Sequence, residues 1–291
     1  RPLTTELHTG YRAFQVSAAE VEAHRAKEAL ELDGRFFPNE GAIFQDVEDP
    51  TNYCVFRIDR KKKQFRPIQD FSDGIWEVAP RNPQQALALD ILLDPDVSIV
   101  TLMGKAGTGK TLLALAAGLR MMLDDNTYSK LLVSRPIFPM GKDIGYLPGT
   151  AEEKLEPWMQ PIFDNLEFLI GSPVSKHHPA KGYQALLDQG LINIEPLTYI
   201  RGRSIPHQFM IVDEAQNLTP HEIKTIITRV GEGTKIILTG DAYQIDNPYV
   251  DSISNGLSNV VERFKELPLA GHVTLMRGER SSLAEMAANV L

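Results

Sequence analysis

A glycine-rich turn between two apolar segments limits the possible folds of this chain more than any other feature. The turn is Gly104-Lys105-Ala106-Gly107-Thr108-Gly109-Lys110-Thr111, which matches the pattern G-x-x-x-x-G-K-[ST] over its whole length. Residues 98–103 before it have an apolar strand pattern, and residues 111–122 after it have an apolar helix pattern. Glycines let backbone N–H groups converge on phosphate oxygens, and the following helix N-terminus adds a favourable dipole. The sequence therefore predicts a P-loop in which Lys110 contacts the β- and γ-phosphates of a nucleotide and the Thr111 hydroxyl binds Mg²⁺.

Strand and helix patterns alternate from about residue 81 onwards, which is typical of an α/β fold with a parallel sheet. Further apolar strand patterns occupy residues 131–134, 191–194, 208–212, 235–239 and 273–275. Asn82 and Thr219 are each followed by proline, so we expect both to be helix N-caps. Residues 151–170 have a helix pattern that we expect Pro157 and Pro161 to interrupt.

Residues 1–75 lack this alternation, and they predict a small N-terminal α+β accessory module, with the main domain over residues 76–291. A capping box at Ser17 begins a helix that we expect to end at Asp33-Gly34. Residues 42–44 and 53–58 have strand patterns. The cations Arg57, Arg60, Lys61, Lys62, Lys63 and Arg66 lie at an expected hairpin tip, where they form either a solvated turn or a contact to phosphates. Phe56, Phe65 and Phe71 either stack on bases or fill the core of the module.

Acidic and amide side chains follow two of the predicted strands. Asp213 and Glu214 come directly after residues 208–212, and Gln244 follows residues 235–239 after a short Gly-Asp turn. The carboxyl ends of parallel strands meet at one edge of a sheet, which is also the edge of the P-loop. We therefore expect Asp213 to hold Mg²⁺ and Glu214 to act as general base toward an attacking water. Gln244 either contacts the γ-phosphate and that water or lies solvated in a tight turn.

These motifs together resemble the first RecA-like domain of superfamily 1 helicases. The residues concerned are the P-loop, Asp213-Glu214-Ala215-Gln216 and Gly240-Asp241-x-x-Gln244. Asn82-Pro83-Gln84-Gln85 is similar to the adenine-reading motif of those helicases, which would assign Gln85 to the base. More specifically, the run from about residue 82 to 291 resembles the PhoH family, most closely the ATPase half of PIN–PhoH fusion proteins. The segments that carry this resemblance are 100–111, 201–204, 212–217, 228–231 and 277–281.

The resemblance implies a three-layer RecA-like P-loop NTPase core that binds ATP and Mg²⁺ and acts on RNA. It also implies a PIN nuclease domain elsewhere in the full-length protein, because residues 1–75 contain no PIN-like set of spaced acids. A helicase monomer places ATP between two RecA-like lobes, and the second lobe supplies an arginine to the transferring phosphoryl group. Since this sequence has one such lobe, we expect either slow hydrolysis or a homo-oligomer, by analogy a hexameric ring, in which a neighbour supplies the arginine.

Several arginines and one lysine are candidates for this contact or for single-stranded RNA. Arg280 is the predicted trans-acting arginine, and Arg277 is its alternative. Arg201 and Arg203 lie in a Gly-containing loop suited to a trans contact or to RNA. The remaining candidates for RNA phosphates are Arg135 and Lys142 after the second core strand, and Arg229, which instead could complement a helix dipole.

Three functions fit these features. The first is an ATP-driven RNA motor with helicase-like unwinding, and the second is an ATP-switched RNA clamp or scaffold that does not unwind. The third is a P-loop small-molecule kinase, which the acids and Gln244 disfavour because they suit attack by water.

Composition narrows the setting of these functions. The net charge of −8 means that any RNA contact needs a local basic surface. The single cysteine, Cys54, excludes an internal disulfide and a thiolate zinc cluster. With no apolar run long enough for a membrane span and no signal peptide, we expect a cytoplasmic protein. Because residue 1 is arginine, we also expect a fragment or a processed form.

Overall fold

The structure is a computed structural model that describes residues 7–59, 61–137, 151–171, 182–200 and 202–276, with only the backbone of residues 151–156. Its N-terminal part contains a four-stranded sheet in the order β1-β2-β3-β4. These strands are β1 Tyr11–Val16, β2 Gly41–Asp46, β3 Tyr53–Ile58 and β4 Phe65–Pro67, and helix α1 is Ala18–Arg25. Strands β1 and β2 are parallel, whereas β2–β3 and β3–β4 are antiparallel hairpin pairs. The two predicted strands and the hairpin tip are confirmed.

Six parallel strands form the larger sheet, in the order β10-β5-β9-β8-β6-β7. They are β5 Ile99–Met103, β6 Lys130–Arg135, β7 Ile192–Pro196, β8 Gln208–Val212, β9 Lys235–Gly240 and β10 Ala270–Thr274. The helices of this part are α2 Pro83–Leu92, α3 Lys110–Leu119, α4 Ala151–Ile170, α5 Gly182–Asp188, α6 Leu197–Ile200, α7 Pro220–Arg229 and α8 Gly256–Phe264. A π-helical turn, residues 120–124, extends α3, and a 3₁₀ turn covers residues 215–217.

Alternate strand residues pack into two separate apolar clusters, one on each face of the large sheet. In β5, Val100 and Leu102 belong to the cluster under α2, α3 and α4. Ile99 and Met103 belong to the cluster under α7 and α8. Because successive side chains of a strand point to opposite faces, this division shows a sheet covered on both sides. The predicted α/β core, a parallel sheet with helices on both faces in three layers, is confirmed, as is the separate small N-terminal sheet.

Helix α2 lies between the two sheets and every one of its residues is buried. Asn82 is its N-cap, as predicted, and accepts a hydrogen bond from the backbone of Gln85. Ile43 and Val55 of the small sheet share an apolar cluster with α2 and the large sheet. Since α2 is buried on all sides, the accessory module supplies the part of its cover that the large sheet does not, and so completes the core around α2.

The predicted end of α1 and the predicted interruption of α4 were both wrong. Helix α1 ends at Arg25 and not at Asp33-Gly34, because Leu30 forms a backbone bridge with Phe65 and is buried in the small sheet's core. Helix α4 runs through Pro157 and Pro161 without interruption. Its apolar face (Ile162, Leu166 and Leu169) is fully buried, and this packing offsets the backbone hydrogen bonds that proline removes.

Two arginines of the cationic hairpin, Arg57 and Arg66, form ion pairs within the protein. Arg57 lies 2.9 Å from Asp90 and 2.7 Å from Asp94, and Arg66 lies 3.1 Å from Asp59. The lysines at positions 61–63 are exposed, as expected for a solvated tip, and residue 60 lies outside the described residues. The three phenylalanines are buried, so filling the core is the confirmed alternative. Within the described ranges, no helix is long and apolar enough to cross a membrane.

The burial of His272 on β10 predicts that the fold loses stability in acid. Its ring nitrogens lie 2.7 Å from the Thr101 hydroxyl and 2.9 Å from the Thr274 hydroxyl. Burial lowers the pKa of His272 from its ordinary value of 6.5 to about 3, and burial also lowers the pKa of His8, whose ring lies 5.8 Å away. Between pH 6.5 and about pH 3, His272 binds a proton in the unfolded chain and remains neutral in the folded chain. The free energy of unfolding should therefore fall as pH decreases, by up to ~1.4 kcal/mol per pH unit from this group.

Urea unfolding at several pH values across this window measures the effect. The variant His272→Gln should show a shallower pH dependence than the parent, and His221→Gln, at an exposed position, should not. An unchanged slope in His272→Gln would rule out this histidine as the cause.

Candidate nucleotide-binding site

The P-loop connects β5 to α3 at the carboxyl edge of the large sheet. Gly104 donates a hydrogen bond to the carbonyl of Gly240, at the end of the neighbouring strand β9, over 3.0 Å. The Thr108 side chain donates to the carbonyl of Lys105 at 2.8 Å and fixes the turn from inside. Gly107 and Gly109 have φ of 83° and 86°, which other residues rarely adopt. Their N–H groups donate to none of the described residues, so these amides are available to an anion.

Lys110 lies beneath this turn. Its side chain is buried, and its ammonium group donates to the carbonyl of Lys105 at 3.4 Å. None of the residues that the structure describes forms an ion pair with Lys110. An ammonium group without a carboxylate partner, next to unpaired amides, suits a phosphate chain.

Thr111 and Asp213 meet across the sheet edge. The Thr111 hydroxyl donates to Asp213 Oδ1 at 3.1 Å, and the Thr239 hydroxyl donates to the same oxygen at 2.6 Å. These are hard oxygen donors, which Mg²⁺ prefers, and Mg²⁺ usually takes one or two protein oxygens and completes its shell with phosphates and water. Within the described part of the chain there is no group of three or more His, Cys, Asp or Glu that could hold a metal alone. The residues present therefore fit Mg²⁺ bound together with a nucleotide.

Glu214 follows Asp213 in a strained backbone conformation, with φ of 56° and ψ of 37°. Non-glycine residues in this region cost about 1–3 kcal/mol and are frequent at active sites. One oxygen of the Glu214 carboxylate lies 3.2 Å from Arg135. The other oxygen accepts a hydrogen bond from Gln216 at 2.5 Å. Both carboxylate oxygens are thus bound by protein groups.

Gln216 is a site residue that the sequence prediction missed. Its side chain is fully buried, and its amide nitrogen donates to the Gln244 carbonyl at 2.9 Å as well as to Glu214. Its amide oxygen accepts from the backbone of Asp241 at 3.2 Å. Gln216 thereby ties the general-base candidate to the loop after β9. The signal in the sequence was a glutamine two positions after the acids, inside the motif Asp213-Glu214-Ala215-Gln216.

Gln244 enters this network through its backbone. Its carbonyl accepts from Gln216, whereas its side chain is exposed and makes no hydrogen bond to the described residues. The loop therefore lies next to Asp213 and Glu214, as predicted from strand order. The side-chain amide of Gln244 makes no hydrogen bond to either acid.

Gln85 is buried against the P-loop. Its amide nitrogen donates to the Thr108 carbonyl at 3.0 Å, and its amide oxygen accepts from the backbone of Arg81 at 2.8 Å. The resemblance to helicases assigned Gln85 to the adenine base. In this structure both ends of its amide are engaged by protein, and its contact is with the turn that holds the phosphates.

Arg135 lies in the same site, at the carboxyl end of β6. Besides Glu214, it lies 3.6 Å from Asp213, and it donates to the carbonyl of Trp158 in α4. Sequence reasoning placed Arg135 at RNA phosphates. Because β6 is the neighbour of β8, its guanidinium reaches the acids instead, and a contact to RNA would require it to change partners.

Of the other predicted cations, the structure describes Arg203 and Arg229, and neither contacts this site. Arg203 forms an ion pair with Glu195 at 2.8 Å, and Arg229 is exposed at the end of α7, near Gly202. Lys142, Arg201, Arg277 and Arg280 lie outside the described residues. The predicted trans-acting arginine therefore has no place in the described geometry.

Comparisons with known proteins agree with this site. The sequence pattern of the PhoH family, described as "PhoH-like protein", matches residues 77–289. Protein PhoH2 of Bacillus subtilis is 50% identical over 290 residues, which cover 98% of this chain and 65% of that protein. Protein PhoH2 of Mycolicibacterium smegmatis is 44% identical over 285 residues, which cover 97% of this chain and 62% of that protein.

The chain thus spans less than two thirds of the length of these relatives. Among solved structures, the Sulfolobus solfataricus SWI2/SNF2 ATPase core in complex with dsDNA is 16% identical, with a TM-score of 0.39, over 67% of this chain and 45% of that one. A similarity of that size supports no argument about function. The matched pattern and the two relatives do show the family. This chain belongs to the PhoH family.

Proposed function

We propose that this chain hydrolyses ATP with Mg²⁺ and couples hydrolysis to the binding and remodelling of single-stranded RNA, as an RNA helicase-like motor. The observation that carries the ATPase part is the hydrogen bond of 3.1 Å between Thr111 and Asp213. It brings the P-loop and the acid-bearing strand within reach of one nucleotide. Family membership supports the same activity.

Each residue of the site has a distinct role in hydrolysis. Lys110 stabilises the negative charge of the β- and γ-phosphates. Thr111 and Asp213 would hold Mg²⁺, which would neutralise phosphate charge. Glu214 accepts a proton from the attacking water, whose oxygen bonds to the γ-phosphorus while the bond to the β–γ bridging oxygen breaks. Gln216 orients Glu214 and links it to the loop of Gln244.

Arg135 supports the coupling to RNA. Its guanidinium lies against one carboxylate oxygen of Glu214, so it competes with the attacking water for the general base. A phosphate of single-stranded RNA would compete with the two carboxylates for the same guanidinium, since both are oxygen anions that arginine binds well. RNA binding would then free Glu214 and raise ATP turnover.

Arg135→Gln tests this coupling. Without the ion pair, ATP turnover in the absence of RNA should rise by about fivefold, equivalent to ~1 kcal/mol for a half-buried pair, and further stimulation by RNA should be lost. Arg120→Gln, which breaks an exposed ion pair with Asp125 after the end of α3, is the matched control. If Arg135→Gln bound ATP normally and lost turnover, the arginine would be required for phosphoryl transfer itself.

Further partners follow from the same proposal. A neighbouring subunit in a homo-oligomer, by analogy a hexameric ring, would supply the arginine that a second lobe supplies in helicases, with Arg280 preferred over Arg277. The additional length of the PhoH2 relatives leaves room for a PIN nuclease domain outside this chain. Solution mass with a bound nucleotide analogue tests the ring, and a monomer with fast turnover would contradict it.

The second candidate is an ATP-switched RNA clamp or scaffold. The occupied Glu214 favours it, because a site that rests in a blocked arrangement turns over slowly and holds its ligand for longer. Steady-state ATPase with and without single-stranded RNA tests the shared part of both functions. Strand displacement in ATP, compared with a non-hydrolysable analogue, separates them, since only the motor requires hydrolysis to unwind.

A further inference from the structure

A cavity of about 580 Å³ opens beside the P-loop. Residues 77–81 before α2, the first turn of α3 and the second half of α4 form its walls. The backbones of Gly107 and Gly109 reach its floor. A nucleotide whose phosphates rest on those glycines therefore extends its ribose and base into this cavity, which has the usual size of a ligand site.

Protein groups already hold both ends of the Gln85 side-chain amide. Its nitrogen is bound to the carbonyl of Thr108 and its oxygen to the amide of Arg81. A base at Gln85 would have to share the amide with both contacts, including the one that supports the phosphate turn. Another polar group of the cavity is better placed to read the base.

Three residues of α4 line the cavity from the opposite wall: Asp164, Asn165 and Phe168. The carboxylate of Asp164 already accepts a hydrogen bond from Gln160 at 2.8 Å. Asn165 and Phe168 are three residues apart, so they lie next to each other on one face of the helix. Phe168 is 57% exposed, although Leu166 and Leu169 on the same helix are fully buried. Asn165 is half-buried, and its amide makes no hydrogen bond to any residue that the structure describes. The pair combines an uncovered aromatic face with an unused donor and acceptor.

This combination matches an adenine base. Adenine presents an amino donor at N6 beside an acceptor at N7, which an asparagine amide can bind with two hydrogen bonds. Guanine presents acceptors at both O6 and N7, so one of the two bonds to the amide would become a repulsion between oxygens. An aromatic ring stacks on either base without distinguishing them.

We propose that Asn165 and Phe168 form the base-recognition surface of the nucleotide site, with Phe168 stacking on the base and Asn165 selecting adenine over guanine. The proposal rests on the proposed binding of a nucleotide at the P-loop. It assigns the choice of base to α4 and leaves Gln85 as a residue that positions the P-loop.

Equilibrium binding of ADP, GDP and inorganic tripolyphosphate, each with Mg²⁺, tests the proposal. Phe168→Ala should weaken both ADP and GDP by about tenfold, within the range for loss of one base stack, and Phe168→Tyr should restore binding. Asn165→Ala should lower the preference for ADP over GDP by about tenfold, as expected for loss of a paired contact. Tripolyphosphate, which has no base, should bind all three variants like the parent.

The matched control is Glu167→Ala, because Glu167 is an exposed neighbour on α4 that does not line the cavity. Unchanged ADP and GDP affinities in both Phe168→Ala and Asn165→Ala would overturn the proposal. So would an equal loss of tripolyphosphate binding, which would indicate a damaged P-loop. Failure of the nucleotide site itself is recognised separately, because Lys110→Ala would then bind all three probes as well as the parent does.

Discussion

Lys110→Ala is expected to reduce ATP turnover by roughly 10²–10³-fold, the usual cost of removing one preorganised charge from a transferring group. The structure gives the reason: the ammonium group is buried beneath the glycine turn and contacts only the carbonyl of Lys105 among the residues described. Without it, the phosphates keep the amides of the turn and lose their nearest positive charge. ADP and tripolyphosphate binding should weaken together, because both depend on the same contact.

Phosphate release under steady-state conditions and equilibrium binding measure these losses. Lys105→Ala is the matched control, because it removes the same charge from an exposed position on the same turn. Turnover that survives in Lys110→Ala at the level of this control would refute the assigned site.

Glu214→Gln should separate binding from chemistry. The substitution keeps the shape of the side chain but removes the carboxylate that accepts a proton from water, so we expect turnover to fall by about 10²–10⁴-fold. Nucleotide binding should remain close to that of the parent, because the P-loop and the Thr111–Asp213 contact are untouched. Loss of the charge also frees Arg135 from one of its two acids.

Single-turnover hydrolysis and equilibrium ADP binding of the same preparation distinguish the two effects. Glu195→Gln serves as control, since Glu195 pairs with Arg203 away from the nucleotide. If both binding and turnover fell equally in Glu214→Gln, its role would be in holding the nucleotide and not in activating water.

The parts of the site that local patterns encode were predictable. A glycine turn between an apolar strand and an apolar helix predicts the P-loop, and an acid directly after a strand predicts Asp213 at the same edge. Asn82 and Thr219 were correctly predicted as caps, because a side chain that satisfies the first backbone amides is a local interaction. Such features need no knowledge of which strands are neighbours.

The remaining features depend on which strands and segments are neighbours. Arg135 reaches Glu214 only because β6 lies next to β8, and no pattern near either residue determines that order. The amide of Gln85 is engaged because α2 packs against the P-loop. The early end of α1 likewise reflects a bridge between Leu30 and Phe65, which are far apart in the sequence. Tertiary contacts outweighed local preference in each case.

The N-terminal segment has a consequence for solubility. The Thr9 carbonyl accepts a hydrogen bond from the backbone amide of Thr274, and the Asn39 side chain donates to the carbonyl of Ala270. These contacts cover the outer edge of β10. An unsealed edge strand is a template for intermolecular pairing and precipitation. A shortened chain beginning near residue 76 would lack Thr9 and Asn39, and it would also lack the small sheet that covers α2. It would therefore be prone to self-association even with an intact P-loop.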